Sequence, residues 1–308
     1  MCIDELNALT ESGAMNEFIR VCEARQCKAL SHIADEIVSR PGIRLILLAG
    51  ASSAGKTTTA KRLCTQLRVN GAEATHFSTD DYFVGDARNP RDENGELDYE
   101  TVEAVDIELL SSNINKLLAG EEIHPRRFDF VKHDGYDDES SMSIAPGEYI
   151  VLEGIHALNP RLTEGVPEEC KYRIFVEPKT QPEIFFRTRL GSADARLMRR
   201  LVRDNQFRKM NPVDTFRLWP KVLDGEHKWI TPFRGNADVE FDSGLEYEIC
   251  VLKSYVAGLL EVVKRKKPDE AKAEMLYDLL STVEPVSPIA VPGDSILRET
   301  IGSSQLEY

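Results

Sequence analysis

Residues 45–57 read Leu45-Ile46-Leu47-Leu48-Ala49-Gly50-Ala51-Ser52-Ser53-Ala54-Gly55-Lys56-Thr57, an apolar run that breaks into a glycine-bounded turn. From Gly50 on, it matches Gly-x-x-x-x-Gly-Lys-[Ser/Thr] at every fixed position, which happens by chance in roughly one chain in a hundred of this length. The spacing has a chemical reason. Glycines let the backbone curl so that successive amide N–H groups point inward at phosphate oxygens, and the following helix adds its positive N-terminus. Lys56 can then reach β- and γ-phosphates, and the Thr57 hydroxyl can ligate magnesium. Gly50, Ser52, Ser53, Ala54, Gly55, Lys56, Thr57 and Thr58 are the expected nucleotide-binding residues, with ATP and Mg2+ as cofactors.

Working outward, strands and helices alternate. Helical spacing covers 3–24, then 28–40 with Leu30, Ile33, Ala34, Ile37 and Val38 on one face, before Pro41-Gly42 stops it. Strand patterns run over 43–49, 74–79, 149–152, 172–176 and 238–241. Helices are expected from the turn to Leu67, over 107–118, as a pair over 182–207, from Asn211-Pro212, over 245–264 and from Pro268 to about 280. A long polar loop fills 85–98, and a hairpin excursion with Phe128 and Phe130 in alternation fills 122–146. This order predicts an α/β fold, a doubly wound parallel sheet covered on both faces.

Charge narrows the partners. Of 308 residues, 38 are Lys or Arg and 52 Asp or Glu, so the net charge of −14 argues against a general nucleic-acid binder. No apolar run approaches the ~20 residues of a membrane helix, and the first residues lack a leader's basic flank and apolar stretch. Six cysteines without Cys-x-x-Cys read as reduced thiols, so a cytoplasmic location is expected. The basic run 264–267 reads as cations at a helix C-terminus.

Other features decide what a phosphate loop would serve. The second strand ends in Asp80 and another in Glu153. In a doubly wound sheet both reach the carboxyl edge beside the loop. One acid can hold magnesium or its waters, and the other can accept the proton of an attacking hydroxyl. Asp81 could equally be a helix cap. Arginines gather at 187–209. Among them Arg196, Arg199, Arg200 and Arg203 recur at three- and four-residue steps, as a solvated helix face or as a lid that meets transferring phosphate. Phe128 with Phe130 could be the buried face of a hairpin, and His133 an ordinary turn residue. Trp219 and Trp229 read as core.

With these residues in hand, the sequence resembles the phosphoribulokinase/uridine kinase family of P-loop kinases, and within it the larger bacterial-type uridine kinase-like proteins. The resemblance covers about 43–260. It rests on ordered blocks: Gly50–Thr57, Thr79-Asp80-Asp81-Tyr82-Phe83, Phe128-Asp129-Phe130-Val131-Lys132-His133, Leu152-Glu153-Gly154-Ile155, Ala195-Arg196-Leu197-Met198-Arg199-Arg200 and Ala237-Asp238-Val239. It implies that Asp80 is the base and a magnesium neighbour, with Glu153 and Thr57 also at the metal. Lys56, Arg196, Arg199 and Arg200 would act on the transferring group. Asp98, in Leu-Asp-Tyr-Glu, would grip ribose hydroxyls, and Tyr82, Phe128, Phe130, His133 and Arg196 would hold the acceptor. One departure stands out: small uridine kinases usually carry tyrosine where Phe128 stands, so a base-reading hydroxyl is missing, which relaxes or alters specificity.

The expectation is a P-loop kinase domain over 41–265 with an arginine-rich helical lid about 187–209. A helical extension over 1–40 precedes it, and a helix and tail over 266–308 pack on it. The reaction expected is ATP- and magnesium-dependent phosphorylation of a nucleoside 5′-hydroxyl, uridine or cytidine, in pyrimidine salvage. A sugar phosphate or pantothenate as acceptor stays open, as does a non-catalytic nucleotide-dependent regulator. Asp80, the arginines and the lack of an Asn-Lys-x-Asp guanine signature argue against the regulator. The partner is a small molecule, with a homo-oligomer open.

Overall fold

The computed structural model describes residues 1–129, 132–184 and 190–307. In chain order the main elements are α1 (Ile3–Glu11), α2 (Met15–Ser39), β1 (Leu45–Ala49), α3 (Lys56–Val69), β2 (Ala74–Ser78), α4 (Ile107–Leu118), β3 (Arg126–Asp129), β4 (Asp134–Asp137), β5 (Tyr149–Glu153), β6 (Lys171–Glu177), α5 (Ser192–Phe207), α6 (Pro212–Gly225), β7 (Val239–Asp242), α7 (Glu248–Lys266), α8 (Ala271–Ser281) and α9 (Arg298–Ile301).

All five residues of β1 are buried and apolar, which suits a central strand covered on both faces. Alternation divides them. Leu45 and Leu47 join a layer with Leu110, Ile114 and Leu117 of α4, while Ile46 and Leu48 join the opposite layer with α2 and α3. The sheet runs β2-β5-β1-β6-β7 with every neighbouring pair parallel. From β1 the chain travels to β2 on one side and later to β6 and β7 on the other. The carboxyl end of β1 is therefore a topological switch point, where an open α/β sheet leaves a crevice for a ligand. A separate antiparallel ribbon, β3–β4, stands over that edge with Phe128 opposite Gly135.

A third core contains no strand. Ile3 and Leu6 of α1, Ile19 of α2, Leu197 and Leu201 of α5, Trp219 of α6, Val256 of α7 and Leu280 of α8 pack together with Leu297 and Ile301. Each such side chain contributes about 1.5–3 kcal/mol by leaving water. Both ends of the described chain are thus built into the same core as the arginine-rich helix.

One sequence expectation changes. The helices predicted over 3–24 and 28–40 are α1 and one continuous 25-residue α2. Polar residues on its buried side interrupt the apolar spacing yet have partners: Gln26 Nε2 donates to the Gly244 carbonyl at 3.1 Å, and the Glu23 carboxylate accepts from the Tyr247 hydroxyl at 2.6 Å. Of the pair expected over 182–207, the second is α5 from Ser192, and the first falls on 185–189, outside the described residues. Among the described residues no helix is long and apolar enough to cross a membrane.

Candidate active site

The loop between β1 and α3 turns on Gly55, whose φ of +84° lies in the left-handed region. A Cβ there would also come within 2.4 Å of Ile296 Cγ2, so glycine is required twice over. Lys56 opens α3 and folds back, its Nζ donating to the Ala51 carbonyl at 3.3 Å. Thr57 Oγ1 donates to Glu153 Oε1 at 3.0 Å, tying the first turn of α3 to the end of β5. Just beyond, Gly154 lies so close to the β2 turn that a Cβ would sit 1.8 Å from Thr79 Oγ1. That approach sets the Asp80 segment, a short 3-10 turn over Thr79–Tyr82, beside Glu153.

A cavity of about 1120 Å³ opens over this edge, bordered by Ser52, Ser53, Gly55, Lys56, Thr57, Asp80 and Glu153. Gly50, Ala54 and Thr58 lie behind its wall, buried. Glu153 is 3% exposed; burial pushes its carboxyl up to about 7, against the pull of Lys56. His76, with Nε2 3.9 Å from Glu153 Oε1, is pushed down to about 4 by burial and is neutral near pH 7. Its Nε2 has no hydrogen-bond partner among the described residues. Thr57 Oγ1, Asp80 and Glu153 offer hard oxygen donors beside Lys56, and these three could hold a magnesium ion completed by phosphate oxygens and waters. No group of three His, Cys, Asp or Glu among the described residues would hold a metal alone.

The arginines divide into two sets. The apolar side of α5 enters the third core, and guanidinium groups run toward the loop. Arg196 reaches the Ser52 carbonyl at 3.3 Å and Glu226 at 2.6 Å, while Arg199 bonds Ser53 and Ser243 carbonyls and is paired with Glu248 at 2.6 Å. Neither borders the cavity; they brace the loop from behind. Arg200, Arg203 and Arg208 do border it. All three converge on Asp204, at 3.2, 2.8 and 3.9 Å. Burial alone would raise the Asp204 carboxyl, but Arg203, Arg200 and Arg208 hold it below the usual carboxylate range. Arg203, together with burial, pushes its neighbour Arg208 down to about 10, since the like charges crowd one another. Asp204 is missing from the expected site, and Arg203 and Arg208 are expected only as part of the arginine-rich lid. The three basic residues within eight positions of one acid were the signal.

At the other end the walls are aromatic. Phe83 meets Tyr99 and Phe128 edge-on, with centroids 5.6 and 5.5 Å apart. The Tyr99 hydroxyl donates to the Asp86 carboxylate, and His133 Nδ1 lies 3.6 Å from Asp86 Oδ1. His133 has a φ of +53°, placing its ring at the ribbon's turn beside Tyr99. Phe130, Arg187 and Arg189 lie outside the described residues. Asp98 does not border the cavity: its Oδ1 accepts from the Glu100 amide at 3.1 Å, which presents Tyr99 and Glu100 instead. Tyr82 is buried against Asn113, and Phe83 takes the cavity position. Asp81 is tied to Arg127 at 3.3 Å.

The Phosphoribulokinase / Uridine kinase family model matches residues 45–249, about two thirds of the chain, and the protein belongs to that family. Membership carries the class with it, a P-loop kinase that uses a nucleotide. The chain is 28% identical over 201 residues to a uridine kinase of Deinococcus deserti, covering 65% of this chain and 87% of that one. It is 29% identical over 198 residues to a uridine kinase of Halobacterium salinarum, covering 64% and 79%. A solved structure of a possible uridine kinase from Bacillus stearothermophilus aligns with TM-score 0.47 and 19% identity, over 71% of this chain and 100% of the other.

Proposed function

We propose that the protein transfers the γ-phosphoryl group of ATP to the 5′-hydroxyl of a nucleoside, uridine or cytidine. One observation carries this reading: a single cavity joins the phosphate loop to a pocket walled by Phe83, Tyr99 and Phe128, with Asp80 on the edge between them. Aromatic faces suit a flat base. The relatives named uridine kinase support the same acceptor.

In this reading Asp80 orients the acceptor hydroxyl and takes its proton as the oxygen attacks in line. Lys56, Arg200 and Arg203 meet the charge on the transferring group, and Asp204 keeps the arginines extended toward it. Arg196 and Arg199 hold the loop backbone. Magnesium, held by Thr57, Asp80 and Glu153, would neutralise charge on the β- and γ-phosphates. Unpaired thiols at all six cysteines support a cytosolic salvage role.

The test is ADP release over a panel of acceptors. Uridine or cytidine should stimulate it, and ribulose 5-phosphate and pantothenate should not. The reverse preference would move the protein to another branch of the family. Nucleotide turnover indifferent to every acceptor would make it a regulator.

A further inference from the structure

The described chain continues past the family match at residue 249, and its last segment returns to the loop. Ile296 packs on Gly55, and Glu299 Oε2 accepts from Thr58 Oγ1 at 2.9 Å. Glu299 borders the cavity together with Gly302, Ser304 and Leu306. This segment is no loose strap. Ser295 and Leu297 are wholly buried, and Arg298 ties the turns together by donating to the carbonyls of Pro288, Val291, Pro292 and Gly302.

A nucleotide in a loop of this kind has its β- and γ-phosphates near the lysine and its α-phosphate toward the first turn of the following helix. The sugar is one ester bond further on. With the acceptor at Asp80, the nucleoside must leave on the side of Gly55 and Thr58, which the last segment covers. Glu299 is the acid on that side, beside the cations Lys61 and Arg298, which also border the cavity. A carboxylate repels phosphate but accepts hydrogen bonds from neutral hydroxyls. Thr58 uses Oε2, and no described residue bonds Oε1.

We propose that the segment around 296–306 completes the donor site, with Glu299 receiving the ribose hydroxyls of the bound ribonucleotide. This rests on the reading of the loop as a nucleotide site. Truncation cannot test it, since Leu297 and Ile301 belong to the third core, so point variants of the full chain are used. Calorimetric titration of wild type, Glu299→Ala and Glu299→Gln with magnesium and ADP, 2′,3′-dideoxyADP or pyrophosphate separates the contributions. For wild type, ADP should bind about tenfold tighter than the dideoxy nucleotide, a charged hydrogen bond's worth. Glu299→Ala should erase that advantage and leave pyrophosphate within twofold. Glu299→Gln, which keeps an oxygen for Thr58, should lose part of it, and both variants should melt within a few degrees of wild type.

Three outcomes overturn the proposal: an advantage for ADP that survives in Glu299→Ala, no advantage in wild type, or tighter binding of all three ligands by Glu299→Ala. The last would mean the carboxylate only repels phosphate. Failure of the underlying reading looks different. Pyrophosphate would then bind wild type and Lys56→Ala alike, whatever stands at 299.

Discussion

At the donor end of the cavity Arg196, Arg199 and Arg200 are buried and each is tied to a carboxylate. At the acceptor end Asp86 and His133 stand exposed on a polar loop and a two-stranded ribbon. The first end is braced by helices from the third core, and at the second the exposed loop is tied to α6 by Lys221, which donates to Asp92 at 2.6 Å and to the Leu97 carbonyl at 2.9 Å. Phosphate is common to every nucleotide, so a rigid cradle suits it. An acceptor is chosen by groups that can change without disturbing a core, which is why exposed loops carry such choices.

The sharpest way to break this division is Asp80→Asn, at the boundary between the ends. It should bind ATP within a few-fold of wild type and lose two to four orders of magnitude in acceptor-dependent turnover, about 3–5 kcal/mol of barrier. Asp81→Asn, whose carboxylate is tied to Arg127, should lose far less. Near-normal turnover in Asp80→Asn would put the base elsewhere.

Rigidity of the donor end can be weighed directly. Arg199→Met leaves the fully buried Glu248 with Gln181, at 2.8 Å, as its side-chain partner among the described residues. Stability to urea should fall by about 3–5 kcal/mol, the usual cost of stripping one member from a buried pair. A change under about 1 kcal/mol would mean that the pair does not brace the loop.

The acceptor end should respond in the opposite way. His133→Ala should raise the KM for the accepted nucleoside about tenfold, roughly 1.4 kcal/mol, with the melting temperature nearly unchanged. A large melting shift with unchanged KM would make His133 a turn residue only.

Where the ends meet, the expected effect is on pH dependence. Burial pushes Glu100 up to about 7, so the folded protein keeps a proton there that the unfolded chain releases near 4.5. Its contribution to stability is full below pH 4.5 and is lost as pH rises through about 7. The melting temperature of wild type minus that of Glu100→Gln should therefore fall between pH 4.5 and 7. A flat difference would show that Glu100 is solvated.

What could be read in advance follows the range of the forces. The loop was legible because turn, lysine and magnesium ligand lie within eight consecutive residues, and β1 because every residue in it is apolar. The spacing of Arg196, Arg199, Arg200 and Arg203 put them on one helix, but which of them would reach the cavity depended on Glu226 and Glu248, 30 and 49 positions away. Asp98 was singled out in the right tetrapeptide, yet the backbone turn it caps presents its neighbours instead. The break expected in α2 came from Glu23 and Gln26, whose partners are Arg62, some 36–39 residues on, and Tyr247 and Gly244, more than 200 residues on. Nothing near Gly55 announces Ile296.

That last contact has a consequence for synthesis. Residues 45–69 can form their strand and helix early, but the wall over Gly55 and Thr58 arrives some 240 residues later. Between those moments the apolar side of α5 lacks Leu297 and Ile301, and a chain still on the ribosome exposes that surface. Pairings of such wide separation are also slow to close. The phosphate loop is thus translated long before the segment that completes its surroundings.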